Sequence, residues 1–184
     1  MLKILYTRLN IDSLTPKERQ KVEHDAAHAL LEVGLASLGF PSLSVCYHES
    51  GKPYFEGDPI HFSLSHSKGV AVCALSDAPV GVDVEVIRLK KLESIKRITE
   101  RTFNEHERQL LIESNYDLSV FYDIWVKKEA MVKRTGVGVR AMSQTDSSAK
   151  EVASVHKDTF VIAACSSHRG PLLLEEIPDT YPHK

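Results

Sequence analysis

Residues 60–87, IHFSLSHSKGVAVCALSDAPVGVDVEVI, restrict the possible folds more than any other stretch of the chain. Val70, Val72 and Ala74, then Val80, Val82 and Val84, recur at period two, and HSKG and SDAP break the run with turn residues. The spacing predicts three strands. On the third, alternation sends Val82 and Val84 to one face and Asp83 and Glu85 to the other. Taken alone, GVDVE is a half-exposed strand with its acids in water. Two like charges at i,i+2 repel, however, and the bases nearby are few (Arg88, Lys90), so a shared cation would relieve the pair.

Helices flank this segment. Residues 14–39 carry Thr15 as N-cap, Pro16 at the first helical position, Glu18 closing a capping box and Gly39 after the end. Val22, Ala26, Ala29, Leu30 and Val33 form the apolar stripe. Two more helices are predicted over 91–115, broken near Phe103–Asn104, and over 117–134. Short strands are expected at 2–8 and 43–48, and at EVASVH and TFVIAACS around Lys157–Asp158. The class is α+β, in two comparable halves with no linker between them.

On the helix 117–134, Phe121, Ile124, Trp125 and Val132 make an apolar stripe that includes Lys128, with Glu129 and Lys133 at its edge. Glu129 and Lys133 could be an ordinary i,i+4 surface pair, worth a few tenths of a kcal/mol. A lysine inside the apolar face points instead to a helix bordering a polar cleft. Three acids from two elements, with lysines beside them, suit a hard divalent cation and a phosphate-bearing ligand. Among nine histidines, His66 is singled out because Ser65, Ser67 and Lys68 surround it with donors for an anion, in what reads as a turn after a strand. Gly51-Lys52-Pro53 is a turn that could present Lys52 to a phosphate, whereas His24, His28, His61, His106 and His156 read as ordinary.

The net charge of −2 leaves no basic footprint for nucleic acid, and no stretch has the length of a membrane span. Three cysteines without close pairing indicate neither a disulfide framework nor a zinc site. The expectation is a cytoplasmic protein of 184 residues forming a single unit.

In order, GKP, FSLSHS, GVDVE, RTFNEHE and FYDIWVKKEAMVKRTGVGV resemble the 4'-phosphopantetheinyl transferases, specifically the larger, pseudo-dimeric, surfactin-synthetase-activating class. The most specific block is Trp-x-x-Lys-Glu-x-x-x-Lys followed by Gly-x-Gly. The resemblance implies two similar α+β lobes related by a pseudo-twofold, approximately 1–80 and 81–184, with the active site in the cleft between them and no need to oligomerise. It implies magnesium, with manganese as an alternative, on Asp83, Glu85 and Glu129. Coenzyme A would meet Lys52, Ser65, His66, Lys128 and Lys133, and Glu107 would be an acid near the metal. The implied reaction moves phosphopantetheine from coenzyme A to a serine of an acyl- or peptidyl-carrier protein, with Glu129, directly or through a bound water, taking the serine proton. A magnesium-dependent nucleotide pyrophosphohydrolase would need several glutamates on one helix, and only Glu129 is there. A catalytically silent module binding coenzyme A or carrier protein is the third reading.

Overall fold

The computed structural model describes residues 1–168 and 171–179, apart from the side chain of Val139. Two antiparallel sheets pack face to face, each with helix on its outer side. The first runs β4(His61–Ser67), β5(Val70–Ser76), β1(Leu2–Arg8), with β9(Leu174–Glu176) added in parallel to β1. The second runs β6(Gly81–Val86), β8(Phe160–Cys165), β7(Val152–His156). In both sheets the chain enters on one strand, crosses a helical segment and returns as a hairpin whose second strand lies in the middle. β2(Val45–Tyr47) and β3(Pro53–Phe55) form a separate hairpin.

Alternation explains the layers. Ile4, Tyr6, Val70, Val72 and Ala74 meet Val82, Val84, Phe160, Ile162 and Ala164 between the sheets. The opposite faces, through Leu5, Ala71, Cys73 and Leu75, take α1(Pro16–Ser37). Val161, Ala163 and Cys165 take α4(Leu118–Thr135), beside α2(Leu92–Thr102) and α3(Glu105–Glu113). Strands β5 and β8, covered on both faces, are buried throughout.

The expected helix signals are present. Thr15 and Glu18 close a capping box, and the second helical segment is broken at Phe103, where Asn104 and Glu107 form another. The stripe of α1 is rotated from the expected one. Glu23, Ala27, Leu31, Gly34 and Leu35 are buried with Ala26 and Leu30, while Val33 is 43% exposed. All three strands of 60–87 form, but β6 leaves its neighbours for the second sheet, and residues 174–176 return to the first. The strand β9 and the 3-10 turn at 139–144 lie outside the expected elements.

Gly81 decides how close α4 approaches β6. A Cβ there would lie 2.0 Å from the Ala130 carbonyl and 2.3 Å from the Arg134 nitrogen, both backbone atoms. Gly81→Ala should therefore lower stability by about 3 kcal/mol, the upper part of the overpacking range, and thermal melting measures it. An unchanged melting temperature would show that α4 can stand off from the sheet.

Candidate active site

The acids sit where β6, the free edge of its sheet, runs beside β4. Serines of one β4 face serve β6 in turn. Ser63 accepts from the Val82 amide at 3.0 Å, Ser65 donates to Asp83 at 2.7 Å and Ser67 donates to Glu85 at 2.7 Å. From α4, the Lys133 ammonium reaches Asp83 at 2.7 Å and Ser65 at 2.8 Å. Asp83 and Ser65 are buried, and Lys133 is partly exposed.

Glu129, one turn before Lys133, lines the same cleft. Burial first, then the negative charge of Asp83 and that of Glu85, push its carboxyl up to about 7 against the opposing charge of Lys133. Three carboxylates thus share one electrostatic environment. The sign of the linkage follows from the shift. An unfolded glutamate titrates near 4.5, so between that value and about 7 the folded chain binds the extra proton, and stability falls as pH rises across that window. The ceiling is about 3 kcal/mol at 1.36 kcal/mol per unit. In chelator, Glu129→Gln should melt about 5–10 °C above the parent at pH 8 and little differently below pH 4.5. Equal melting temperatures at pH 8 would contradict the assigned environment.

The cleft by Glu129 and Lys133 has a volume of about 340 Å³, and its other wall is the 50–53 turn with Phe62 and Leu64. Two further cavities share Pro53 and Phe62 with it. One of about 670 Å³ runs past His48, Lys52 and Arg134, and one of about 210 Å³ runs past His24, His28 and His66. Gly136 lets the turn and the helix end meet. Its φ is +74°, and a Cβ would lie 3.0 Å from the Ser50 hydroxyl. Lys52 donates to the Arg134 carbonyl at that helix end; burial first, then the charge of Arg134, lowers its pKa.

The structure separates residues that the motifs group. His66 lies in β4 rather than in a turn, and as its even-numbered neighbour it points away from Ser65. Its Nδ1 stands 3.2 Å from Glu23, and its ring is 6.4 Å from that of His24, itself 4.5 Å from His28. His24 and His28, expected to be ordinary, thus share its pocket. Ser65 is committed to Asp83 and Lys133. Lys128 and Glu107 do not face the cleft. Each is fully buried, and they pair at 2.6 Å, with Lys128 also on the Thr145 carbonyl and Glu107 on the amides of Asn104 and Ser147. In this structure neither side chain has exposed surface to offer a coenzyme phosphate or a metal. Burial explains it, because two ionised groups this deep must satisfy each other.

Glu23 escaped the motif reading. It is buried, and holds the β4–β5 turn through the Gly69 amide at 2.6 Å as well as His66. The available signal was an acid at helical spacing from Ala26, Ala27 and Leu30. The Ser63, Ser65, Ser67 alternation was the corresponding signal in β4.

No three histidine, cysteine, aspartate or glutamate side chains stand as a ready metal cage among the described residues. In the arrangement described, Lys133 pairs with Asp83 at 2.7 Å, and burial with the neighbouring carboxylates favours the protonated form of Glu129. The donors are nevertheless all carboxylate oxygens, which suit magnesium or manganese, and the repulsion raising Glu129 is one a cation would remove.

Three carboxylates thus gather about Lys133, with Lys52 on the facing wall of the cleft that Glu129 and Lys133 line. The sequence model of the 4'-phosphopantetheinyl transferase superfamily matches residues 79–176, over half of the chain, and the chain belongs to that superfamily. It is 35% identical over 133 residues to the 4'-phosphopantetheinyl transferase AcpT of Salmonella typhi, covering 68% of each chain. It is 36% identical over 106 residues to the 4'-phosphopantetheinyl transferase gsp of Aneurinibacillus migulanus, 55% of this chain and 43% of that one. Over 92 residues it is 34% identical to Sfp of Bacillus subtilis, 50% of this chain and 40% of that one. These two matches span less than half of the relatives' length.

Proposed function

We propose that the protein transfers 4'-phosphopantetheine from coenzyme A to a serine of an acyl- or peptidyl-carrier protein, releasing adenosine 3',5'-bisphosphate. The observation that carries the reading is that the matched residues 79–176 contain Asp83, Glu85, Glu129 and Lys133, which the fold gathers so that Lys133 pairs with Asp83 and the charges of Asp83 and Glu85 act on Glu129. The neighbouring cavities, which share Pro53 and Phe62 as walls and carry Lys52, Arg134 and Lys133 among their linings, support a multiply charged ligand such as coenzyme A.

In this reading Asp83, Glu85 and Glu129 hold magnesium or manganese. When bound, the ion neutralises charge on the pyrophosphate and on the departing phosphate. Lys133, already beside Asp83, supplies a second positive charge at the reacting phosphate. Lys52 lies on the facing wall as a donor for coenzyme phosphates, and His66 lines the adjoining pocket. Glu129 is the candidate base by position; holding the ion would relieve the repulsion from Asp83 and Glu85 that raises its carboxyl and would engage its oxygens, so a water beside it is the better first acceptor. The serine oxygen forms its bond to the phosphorus of the pantetheine phosphate as the bond to the bisphosphate breaks. The serine proton passes to Glu129, directly or through water.

The test is the mass gain of an apo carrier protein incubated with coenzyme A and this protein. Chelation should abolish the gain and added magnesium restore it. Undiminished transfer by a metal-free sample would overturn the ligand assignment. Absence of transfer to acyl- and peptidyl-carriers alike, with magnesium present, would overturn the function. No helix among the described residues is long and apolar enough to cross a membrane.

A further inference from the structure

His66 ends the face of β4 that packs on α1, and its two ring nitrogens are unequally placed. Phe62 and Leu64 precede it on that face and wall both the cleft and the pocket of about 210 Å³ beside it. Nδ1 lies 3.2 Å from the Glu23 carboxylate of α1, whereas Nε2 has no hydrogen-bond partner among the described residues. His66 lines the pocket and its side chain is 30% exposed, so Nε2 is the nitrogen left for a ligand. No lysine or arginine stands among the described walls of this pocket. An anion entering it is therefore met by imidazole groups.

The acid beside His66 is held at both oxygens. Glu23 is 7% exposed, and its second oxygen accepts from the Gly69 amide at 2.6 Å, in the turn where Lys68 and Gly69 have positive φ. A carboxylate only accepts, so the hydrogen of a neutral His66 sits on Nδ1. The other tautomer would set the Nδ1 lone pair against a carboxylate oxygen. With Nδ1–H committed to Glu23, Nε2 of the neutral ring offers a lone pair, which repels the oxygens of a phosphate. A second proton turns Nε2 into a donor, and the imidazolium then stands between two anions. The other titratable groups around the ring are few. From α1 come His24, 6.4 Å away between rings, and His28 behind it, on which Asp25 and Glu32 act. From β2 comes Tyr47, Lys68 follows in the turn, and β5 places Ala71 opposite. None of these takes the place of Glu23 at Nδ1.

We propose that Glu23 is a positioning residue that couples coenzyme A binding to proton uptake at His66. It fixes the hydrogen of the neutral ring on Nδ1, so that Nε2 donates to a coenzyme phosphate only after the ring has taken a proton from solvent. The proton returns to solvent when the nucleotide leaves. The inference rests on the transferase reading for the identity of the ligand.

Two measurements on the full chain test it. In long-range proton–nitrogen NMR spectra of the free protein, neutral His66 should carry its hydrogen on Nδ1. In Glu23→Gln it should move to Nε2, because the amide oxygen keeps the Gly69 bond and the amide nitrogen donates to Nδ1. The second measurement is calorimetry with coenzyme A at saturating magnesium, in buffers of different ionisation enthalpy, across the span of about pH 5–8 in which histidines titrate. The parent should take up about one proton more than Glu23→Gln at the alkaline end, and His66→Gln should behave as that variant does. Glu129, His24, His28 and the coenzyme phosphates are common to the three proteins and cancel in the comparison. The dissociation constant of the parent should rise relative to that of Glu23→Gln, by up to about tenfold per pH unit.

A neutral parent with its hydrogen on Nε2 overturns the proposal. So does equal proton uptake in the three proteins, or a change in dissociation constant of the same size at every pH, which would leave Glu23 as a brace for the turn alone. Should Glu23→Gln fail to fold, the parent spectrum and the comparison with His66→Gln decide the matter. If the coupling is found but no carrier protein gains mass, the coupling stands and the transferase reading fails. Transfer without the coupling overturns this inference and leaves the transferase reading in place.

Discussion

Replacing Glu129 by glutamine lowers phosphopantetheine transfer by ~10²–10⁴-fold at saturating magnesium and coenzyme A, the range associated with a general acid–base group. The change keeps the shape of the side chain and removes the charge that accepts a proton and holds a cation. Near-normal turnover would reduce Glu129 to a passive wall of the cleft. Lys133→Ala is not a simple contrast, because Lys133 is bonded to Asp83 and Ser65 rather than to a free face. Its loss should weaken coenzyme binding and also strip Asp83 and Ser65 of their partner on α4, so a raised KM for coenzyme A should accompany its fall in kcat, whereas the Glu129→Gln deficit should persist at saturating coenzyme A. In the absence of metal the same Glu129→Gln change should stabilise the chain at alkaline pH. A residue that harms stability and is needed for turnover is one held for function.

Breaking the buried pair gives the largest expected stability change. Glu107→Ala leaves the Lys128 ammonium buried without its carboxylate and orphans the amides of Asn104 and Ser147. The cost should be about 3–5 kcal/mol, a fall of roughly 10 °C or more in melting temperature for a chain of this size. Glu107→Leu combined with Lys128→Met should recover part of it, since an apolar pair can replace a buried ion pair, but not all, because the two amides stay unpaired. Measured well below its melting temperature, the double variant should keep the parent KM for coenzyme A. A large rise in that KM with melting restored would return Lys128 to the ligand.

Much of the chain was legible without coordinates wherever the information is local. Thr15-Pro16-x-Glu18, the Asp117 start and the Gly136 stop are written within a few residues of the helix ends that they set, and all three form. Period two in 60–87 placed three strands and put Asp83 and Glu85 on one face for the same reason. The break at Phe103–Asn104 follows from a capping box beginning there. The five motifs in register likewise pointed to the superfamily that the chain belongs to.

What stayed hidden concerns which groups meet across long separations. Alternation shows that Ser65 and His66 face opposite ways once β4 is known to include both, but HSKG looks like a turn because Lys68 and Gly69, both at positive φ, carry the actual reversal. A lysine among apolar residues is visible in the sequence at 128; that Glu107, 21 residues earlier, neutralises it there is decided by the packing of α3 on α4.

Residue types and their periods determined the elements, their ends and the candidate acids, because those depend on contacts within a turn of helix or along a single strand. The tertiary structure alone decided that β6 leaves its neighbours for a second sheet, that β9 returns to the first, and that Lys133 answers Asp83 while Glu129 is left to rise to about 7. Burial and charge act over distance in space, and neighbours in space are set by how the layers pack rather than by their order along the chain.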